Sequence, residues 1–388
     1  MNAIELLDII NDKETSTVQF KREITHNDAM AAEIVAMANS LGGMILLGVA
    51  DKTGEIVGVD LNSKINERLA NIATHNVKPP IYIQTEMVTI EKEAPVKILV
   101  VHIPHNPKQI YKDNYGAIWV KQGSDKRRVT DDFEILRLYQ KSGNLLADEM
   151  EVYDTSIDDV NKWRFDEYFK KEFGQTYEEK GLTYEEALKA KRVLRNAQLT
   201  LAGLLFFGKD PQSIKPAFTI KAVSYFGNSI ESNDYRSKPV DLKGSIPELF
   251  DGAIKFLKLS LHYLQAGQGF NSIGKLEVSE IALIELVQNA LVHRDYFKNS
   301  PIRLLIFDNR IEIISPGKLP NSLTVEDIKF GNPVIRNNQL VAFSTHTLPF
   351  SGLGSGIKRA LAEQPNIELI NDTEGEQFKV IIPRPEKK

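Results

Sequence analysis

The 388-residue chain contains no cysteine. That excludes disulfides, Cys-ligated zinc, iron–sulfur clusters and thiol nucleophiles, and it fits a reducing compartment. No apolar run approaches the ~18–20 residues that span a bilayer. The first residues, Met1-Asn2-Ala3-Ile4-Glu5, show no basic-then-apolar leader pattern. A cytoplasmic protein with no membrane partner is therefore expected. Nor is there an excess of one charge. Lys+Arg 48 against Asp+Glu 52 leaves a formal net charge of −4, which argues against a generic polyanion binder but leaves room for a local basic patch. The chain has no internal repeat, low-complexity tract or sustained heptad. It also has no G-x-x-x-x-G-K-[ST] phosphate loop. A helicase motor thus finds no support, and neither does a histidine kinase, since no helical hairpin with a phosphorylatable His precedes the C-terminal region.

What is present reads as α/β (α+β) in three segments. Residues 1–140 alternate helix and strand signals. A helix is predicted over 27–41, stopped by Gly42-Gly43. Strands follow at 44–49 and 55–59 around an Asp51-Lys52-Thr53-Gly54 turn, then at 96–103 and 117–120, with a helix near 131–140. Residues 141–196 change texture. Charged amphipathic stretches at 163–173 and 183–196 predict a helical connector whose Lys and Glu runs are solvated faces. From 197 to 388 a second α/β domain is expected. It has strand signals at 218–226, 302–307, 310–314 and 378–382, helices at 246–265 and 276–292, and a hairpin turn at Asp308-Asn309.

Three pieces of this last segment carry chemistry. Glu285, Asn289 and His293 are spaced i, i+4, i+8 and so lie along one side of a helix. A carboxylate and an amide one turn apart can hold Mg²⁺ through intervening waters. Asn289, a poor helix former among apolar neighbours, has no evident structural reason to be there. Ser315-Pro316-Gly317-Lys318-Leu319-Pro320 follows the hairpin. Ser351-Gly352-Leu353-Gly354-Ser355-Gly356 then leads into a helix, where free backbone N–H groups and the positive helix end suit phosphate.

The order of these pieces resembles the GHKL ATPase fold of gyrase B, histidine kinases and MutL, over roughly residues 197–384. The closer likeness is to the RecG-like, divergent "AAA-4" subgroup of bacterial regulators, whose most specific mark is the string from Asn289 to Tyr296. The resemblance implies an α/β sandwich that binds ATP and Mg²⁺. Glu285 would be the base for water, and Asn289 with Glu285 would hold the metal. Asn289, His293, Ser315, Gly317, Gly352, Gly354 and Gly356 would hold the cofactor. Where GHKL proteins place an Asp that accepts from the adenine amino group, this chain has Ser315, and Leu319 replaces the second glycine of that turn. A neutral acceptor is weaker than a charged one, which implies at most weak ATPase activity.

Near the N-terminus, Glu14 to Glu23, Met37-Ala38-Asn39-Ser40-Leu41-Gly42-Gly43, Ile45-Leu46-Leu47-Gly48-Val49 and Ala117 to Ser124 resemble the Schlafen AlbA_2 domain over about residues 10–140. The resemblance implies nucleic-acid binding, DNA in preference to RNA. Relatives that cleave carry two glutamates and a lysine where this chain reads Glu14, Gln19 and Lys21. Gln19 cannot supply the negative charge a metal-dependent nuclease needs; Asp51 is a further candidate carboxylate. A binding patch is predicted from Lys21, Arg22, Lys121, Lys126, Arg127 and Arg128, near Tyr115 and Trp119. His102 and His105, three apart at a strand end, are expected on opposite faces. The expected whole is a dimeric regulator of transcription that binds ATP and nucleic acid, with nucleotide state setting domain arrangement. An ATP-controlled nuclease of defence type and a degenerate scaffold without nucleotide are the alternatives.

Overall fold

The computed structural model describes residues 1–51, 53–60, 64–91, 94–143, 145–230, 234–264, 274–320, 323–331, 334–349, 352 and 354–385. The chain forms two compact units, Met1–Leu145 and Leu146–Lys388.

In the first unit, helix α1 (Ala3–Asn11) opens with a capping box in which Asn2 and Glu5 satisfy each other's backbone N–H groups. Strands β1 (Val18–Lys21), β2 (Gly43–Leu47), β3 (Gln84–Ile90) and β4 (Val96–Ile103) form one sheet in the order β1-β2-β4-β3. β1 runs parallel to β2, and the other pairs are antiparallel. The inner strands read as continuous apolar runs because both sheet faces are covered. Ile45, Leu47, Leu99 and Val101 pack with Ile34 and Met37 of α2 (Asn27–Ala38). Leu46, Ile98 and Val100 point the other way and pack with Leu6 and Ile10 of α1. A one-residue slip would exchange these sets, so the period-2 pattern fixes the register. A hairpin of β5 (Ile118–Gln122) and β6 (Asp125–Val129) follows a short helix α3 (Ile65–Asn71), and helix α4 (Asp132–Lys141), capped by Asp131, closes the unit.

The stretch expected as a connector does not stand apart. Its helices α5 (Lys162–Phe173) and α6 (Tyr184–Ala190) bury Phe165, Tyr168, Phe169, Ala187 and Leu188 in the same core as the C-terminal sheet. The charges on these helices are indeed on their outer faces, but the inner faces are apolar, and that of α5 is aromatic. Phe165 and Tyr168 pack against Phe207 of α7 (Leu201–Phe207), with ring centroids 5.5 and 5.1 Å apart.

Six strands form the sheet of this unit: β7 (Ile220–Tyr225), β8 (Tyr235–Leu242), β9 (Ile302–Ile306), β10 (Arg310–Pro316), β11 (Glu368–Asp372) and β12 (Gln377–Pro383). Their order is β8-β7-β9-β10-β12-β11, with only β7 and β9 parallel. Phe307 N–H donates to Arg310 O across the Asp308-Asn309 turn, the predicted hairpin. Helices α8 (Ile246–Ser260) and α9 (Glu280–His293) cover one face, which is lined by Ile220, Leu304, Ile313 and Val380. Three further helices matter to the site and the core: α10 (Val325–Phe330), α11 (Asn338–Thr347) and α12 (Gly356–Glu363).

Helix α11 joins the two halves of this core. Its Phe343 packs on Tyr168, Phe206 and Phe207. Its first turn donates the N–H groups of Gln339 and Leu340 to Asp148 Oδ2, at 2.7 and 3.1 Å. Burial pushes the Asp148 carboxyl up to about 6, against those two N–H groups, which pull it down. The ionised form is the disfavoured one in the fold. Its contribution is therefore greatest below the ordinary carboxylate pKa and is lost as pH rises through 6. Asp148→Asn keeps an acceptor and never ionises. It is expected to be stabler than wild type by about 2 kcal/mol at pH 8 and by much less at pH 4. Urea melts at the two pH values in a Trp119→Phe background, read from Trp163 fluorescence, check this.

Candidate functional site

The C-terminal residues singled out in the sequence converge. Glu285, Asn289, His293, Ser315, Gly317, Gly352, Gly354 and Gly356 all line one cavity of about 140 Å³. Helix α9 supplies the first three, and Ser279 caps its start. Its far end is closed by Asn337, whose Nδ2 donates to the carbonyls of Val292 and Arg294 at 2.8 and 2.9 Å. The string after Asn289 thus divides by side. Asn289 and His293 face the cavity. Arg294 turns inward, its guanidinium 4.8 Å from the ring centres of Phe218 and Tyr296, and donates to Lys298 O and Ser300 O. Tyr296 donates to Leu291 O at 2.8 Å.

Glu285 is buried, and burial raises its carboxyl while Arg359 lowers it. Arg359 Nη2 lies 2.7 Å from Glu285 Oε1. Among the described residues Asn289 Nδ2 is buried without a hydrogen-bond partner. Both side chains press against Gly356. A Cβ there would fall 2.6 Å from Glu285 Oε2 and 3.2 Å from Asn289 Nδ2. The cavity floor therefore has an orphaned amide, a buried carboxylate and a glycine kept bare between them. Burial, with Arg336 nearby, holds His293 down at about 4, so its imidazole is neutral at pH 7.

The turn after β10 is built by close approach. Gly317 has φ +96, and a Cβ there would lie 2.3 Å from Asp295 Cβ. Ser315 Oγ donates to Ala290 O at 3.3 Å. With its proton so committed, the hydroxyl faces the cavity as an acceptor. Gly352 and Gly354 both take positive φ, +68 and +71, ahead of α12. Ser351 and Leu353 of the same cluster lie outside the described residues.

The N-terminal residues are brought together differently from the expectation. Lys121 is not a surface cation: its side chain is 1% exposed. Its ammonium donates to Gln19 Oε1 at 2.6 Å, to Glu33 Oε1 at 3.0 Å and to Ser124 O. Lys126 holds the other Glu33 oxygen at 2.9 Å. Arg127 makes a two-pronged pair with Glu134 at 2.6 and 2.9 Å, and Lys21 pairs with Asp51. Glu14 Oε1 accepts from Gln19 Nε2 and from Phe20 N–H. Arg22 and Arg128 are exposed, and among the described residues their guanidinium groups have no ion-pair partner. Of the six predicted cations, Arg22 and Arg128 are thus the exposed ones without an ion-pair partner among the described residues, and Lys126 is half-buried. Trp119 is also committed, its Nε1 donating to Asp113 Oδ2 at 2.8 Å, and the exposed Tyr115 donates its hydroxyl to Asp28 Oδ2 at 3.0 Å. His102 pairs with Glu86 and His105 Nδ1 donates to Ala38 O, in separate directions.

Two comparisons match these two regions. Residues 14–130 match the family described as "Schlafen, AlbA_2". Residues 299–382 match the family described as "Putative ATP-dependent DNA helicase recG C-terminal". The chain is thus similar to one family near its N-terminus and to the other near its C-terminus. Among solved structures, the DIP2311 protein from Corynebacterium diphtheriae is 20% identical, with a TM-score of 0.46 and 96% of this chain covered. The chain spans 65% of the length of that structure. No curated protein matches it.

The recG C-terminal match begins after α9, so Glu285 and Asn289 reach the cavity from outside the matched stretch. Two cations of that cavity, Arg336 and Arg359, were missed in the sequence. Arg359 had a signal, standing one turn after Gly356. Arg336 had none, because only the fold brings it to Gly317, where its Nη1 would lie 2.9 Å from a Cβ. In the stretch that matches Schlafen AlbA_2 the missed residue is Glu33, which sits in an apolar helical run and is buried at 2%. A lone acid in such a run signals a buried partner. Among the described residues no helix is long and apolar enough to cross a membrane.

Proposed function

We propose that the protein binds an adenine nucleotide with Mg²⁺ in its C-terminal unit and nucleic acid, DNA in preference to RNA, on its N-terminal unit, as a regulator whose nucleotide state sets the arrangement of the two within a dimer. The observation that carries this reading is the convergence of residues from three distant stretches on one cavity. The donor set fits. Rotating the orphaned Asn289 amide presents Oδ1 to a hard cation beside Glu285, and Mg²⁺ tolerates such sparse protein ligation because it keeps its waters. When bound, the metal would neutralise phosphate charge. The bare Gly356 and the N–H groups at the start of α12 leave room for phosphate. Ser315, an acceptor with its proton given to Ala290, suits an exocyclic amino group better than a keto group. The match to a recG C-terminal family agrees with this reading and brings no helicase motor with it.

Titration with a fluorescent ATP analogue tests it. Wild type is expected to give a saturable, Mg²⁺-dependent signal. Asn289→Ala is expected to lose at least tenfold in affinity, about 1.4 kcal/mol. No saturable signal from wild type sinks the reading.

The N-terminal reading prefers binding to cleavage because Glu14 and Asp51 are each engaged by neighbours, Gln19 and Lys21. Arg22→Glu with Arg128→Glu is expected to weaken binding to short DNA duplexes and to lower the salt slope by about two. An unchanged slope, measured by anisotropy between 50 and 200 mM salt as about the useful range, removes this pair from the interface.

A further inference from the structure

We propose that Arg359 reads the terminal phosphate of the nucleotide, changing partners from Glu285 to that phosphate when a triphosphate enters. This rests on the adenine-nucleotide reading above. Arg359 stands one turn into α12, three residues after Gly356. A long helical side chain leans toward the N-terminus of its helix, which carries this guanidinium over Gly356 and into the cavity, to Glu285 Oε1 at 2.7 Å.

The pair is uneven. The Glu285 side chain is 6% exposed and that of Arg359 is 45% exposed, so the cation can swing while the carboxylate stays. Glu285 offers Arg359 one oxygen in this pair. A terminal phosphate carries more charge and three oxygens, and it matches the planar fork of a guanidinium two-pronged. The other arginine of the cavity, Arg336, is placed elsewhere, beside Gly317 and with Nη2 donating to Lys318 O. Arg359 is the arginine at the Gly356 end, where the orphaned Asn289 amide and the buried carboxylate meet. A diphosphate, lacking the terminal group, leaves Arg359 on Glu285. A triphosphate draws it off and leaves Glu285 open to metal or water. The ion pair is thus a two-state element whose setting depends on the third phosphate.

The test is calorimetric titration of the full chain with Mg²⁺-ADP and with a Mg²⁺-loaded non-hydrolysable ATP analogue. Wild type, Arg359→Ala, Glu285→Gln and the double variant Arg359→Ala/Glu285→Gln are compared. The single variant is expected to lose at least tenfold in affinity for the triphosphate and less than threefold for ADP. Set against Glu285→Gln alone, which removes the carboxylate and any metal it holds, the double variant is expected to show the same triphosphate-selective loss. No such loss against Glu285→Gln would mean that Arg359 only masks the Glu285 charge. Equal losses for both nucleotides would mean that it only supports the fold. Either result overturns the proposal while nucleotide binding itself stands. A wild type that binds neither nucleotide removes both.

Discussion

Lys121→Met is expected to cost the N-terminal unit about 3–5 kcal/mol, enough to unfold a marginal domain. The ammonium has three protons and three acceptors, on Gln19, Glu33 and Ser124, so none is spare. These acceptors tie β1, α2 and the tip of the β5–β6 hairpin to one point. Removing the cation leaves Glu33, whose side chain is 3% exposed, with only Lys126 among the described residues, on its other oxygen. A buried carboxylate that has lost half its compensation is costlier than a missing apolar contact. Adding Glu33→Gln to Lys121→Met removes that stranded charge and is expected to return a large part of the loss. The chain has two tryptophans, Trp119 and Trp163, one in each unit. In a Trp163→Phe background, urea melts followed by fluorescence therefore report the N-terminal unit alone. If Lys121→Met melts within about 1 kcal/mol of wild type, the network is not a structural keystone. The variant also settles what a loss of DNA binding would mean. Lys121 substitutions would abolish binding by unfolding, whereas Arg22 and Arg128 substitutions would do so with the fold intact.

Local chemistry was legible where one element carries it. The i, i+4, i+8 set on α9 could be read because helical geometry alone puts Glu285, Asn289 and His293 on one side. The inner strands β2 and β4 could be read from their apolar runs, and the Asp308-Asn309 hairpin from its turn residues. β3 was passed over because it holds only three apolar residues, Met87, Val88 and Ile90, after a polar start of Gln84, Thr85 and Glu86. The connector was misjudged for a related reason. Its charges mark the outer faces correctly, but only Phe207 and Phe343, distant in sequence, say what the aromatic inner face of α5 packs against.

Cation roles were the least legible. Six Lys and Arg residues look alike in sequence, yet Lys121 is sealed in, Lys21, Lys126 and Arg127 are paired, and Arg22 and Arg128 stand in solvent. The difference lies in which carboxylate the fold delivers to each. Glu33 comes from α2, Glu134 from α4 and Asp51 from the turn after β2. Charge density along a strand therefore overstates a binding patch whenever acids arrive from other elements.

The glycines allow the sharpest separation of fold from function. Gly317 and Gly356 both line the cavity, and both would place a Cβ against a neighbour. Their obstacles differ. At Gly317 the backbone has φ +96, and the clash at 2.3 Å is with Asp295 Cβ, whose own backbone N–H is held by Pro316 O at 2.8 Å. Nothing there can yield cheaply, so Gly317→Ala is expected to lose about 3 kcal/mol of stability. Gly356 is the first residue of α12 and is not among the positive-φ glycines, so alanine suits the backbone and favours the helix. Its Cβ would meet the ends of the Glu285 and Asn289 side chains. Those can move, but only by leaving the positions in which they would face a metal and phosphate. Gly356→Ala is therefore expected to melt within about 1 kcal/mol of wild type and to lose at least about a hundredfold in nucleotide affinity, about 2.8 kcal/mol. Paired thermal melts and nucleotide titrations on the two variants check this. If Gly356→Ala binds nucleotide as wild type does, phosphate does not sit against α12, and the cavity serves another ligand.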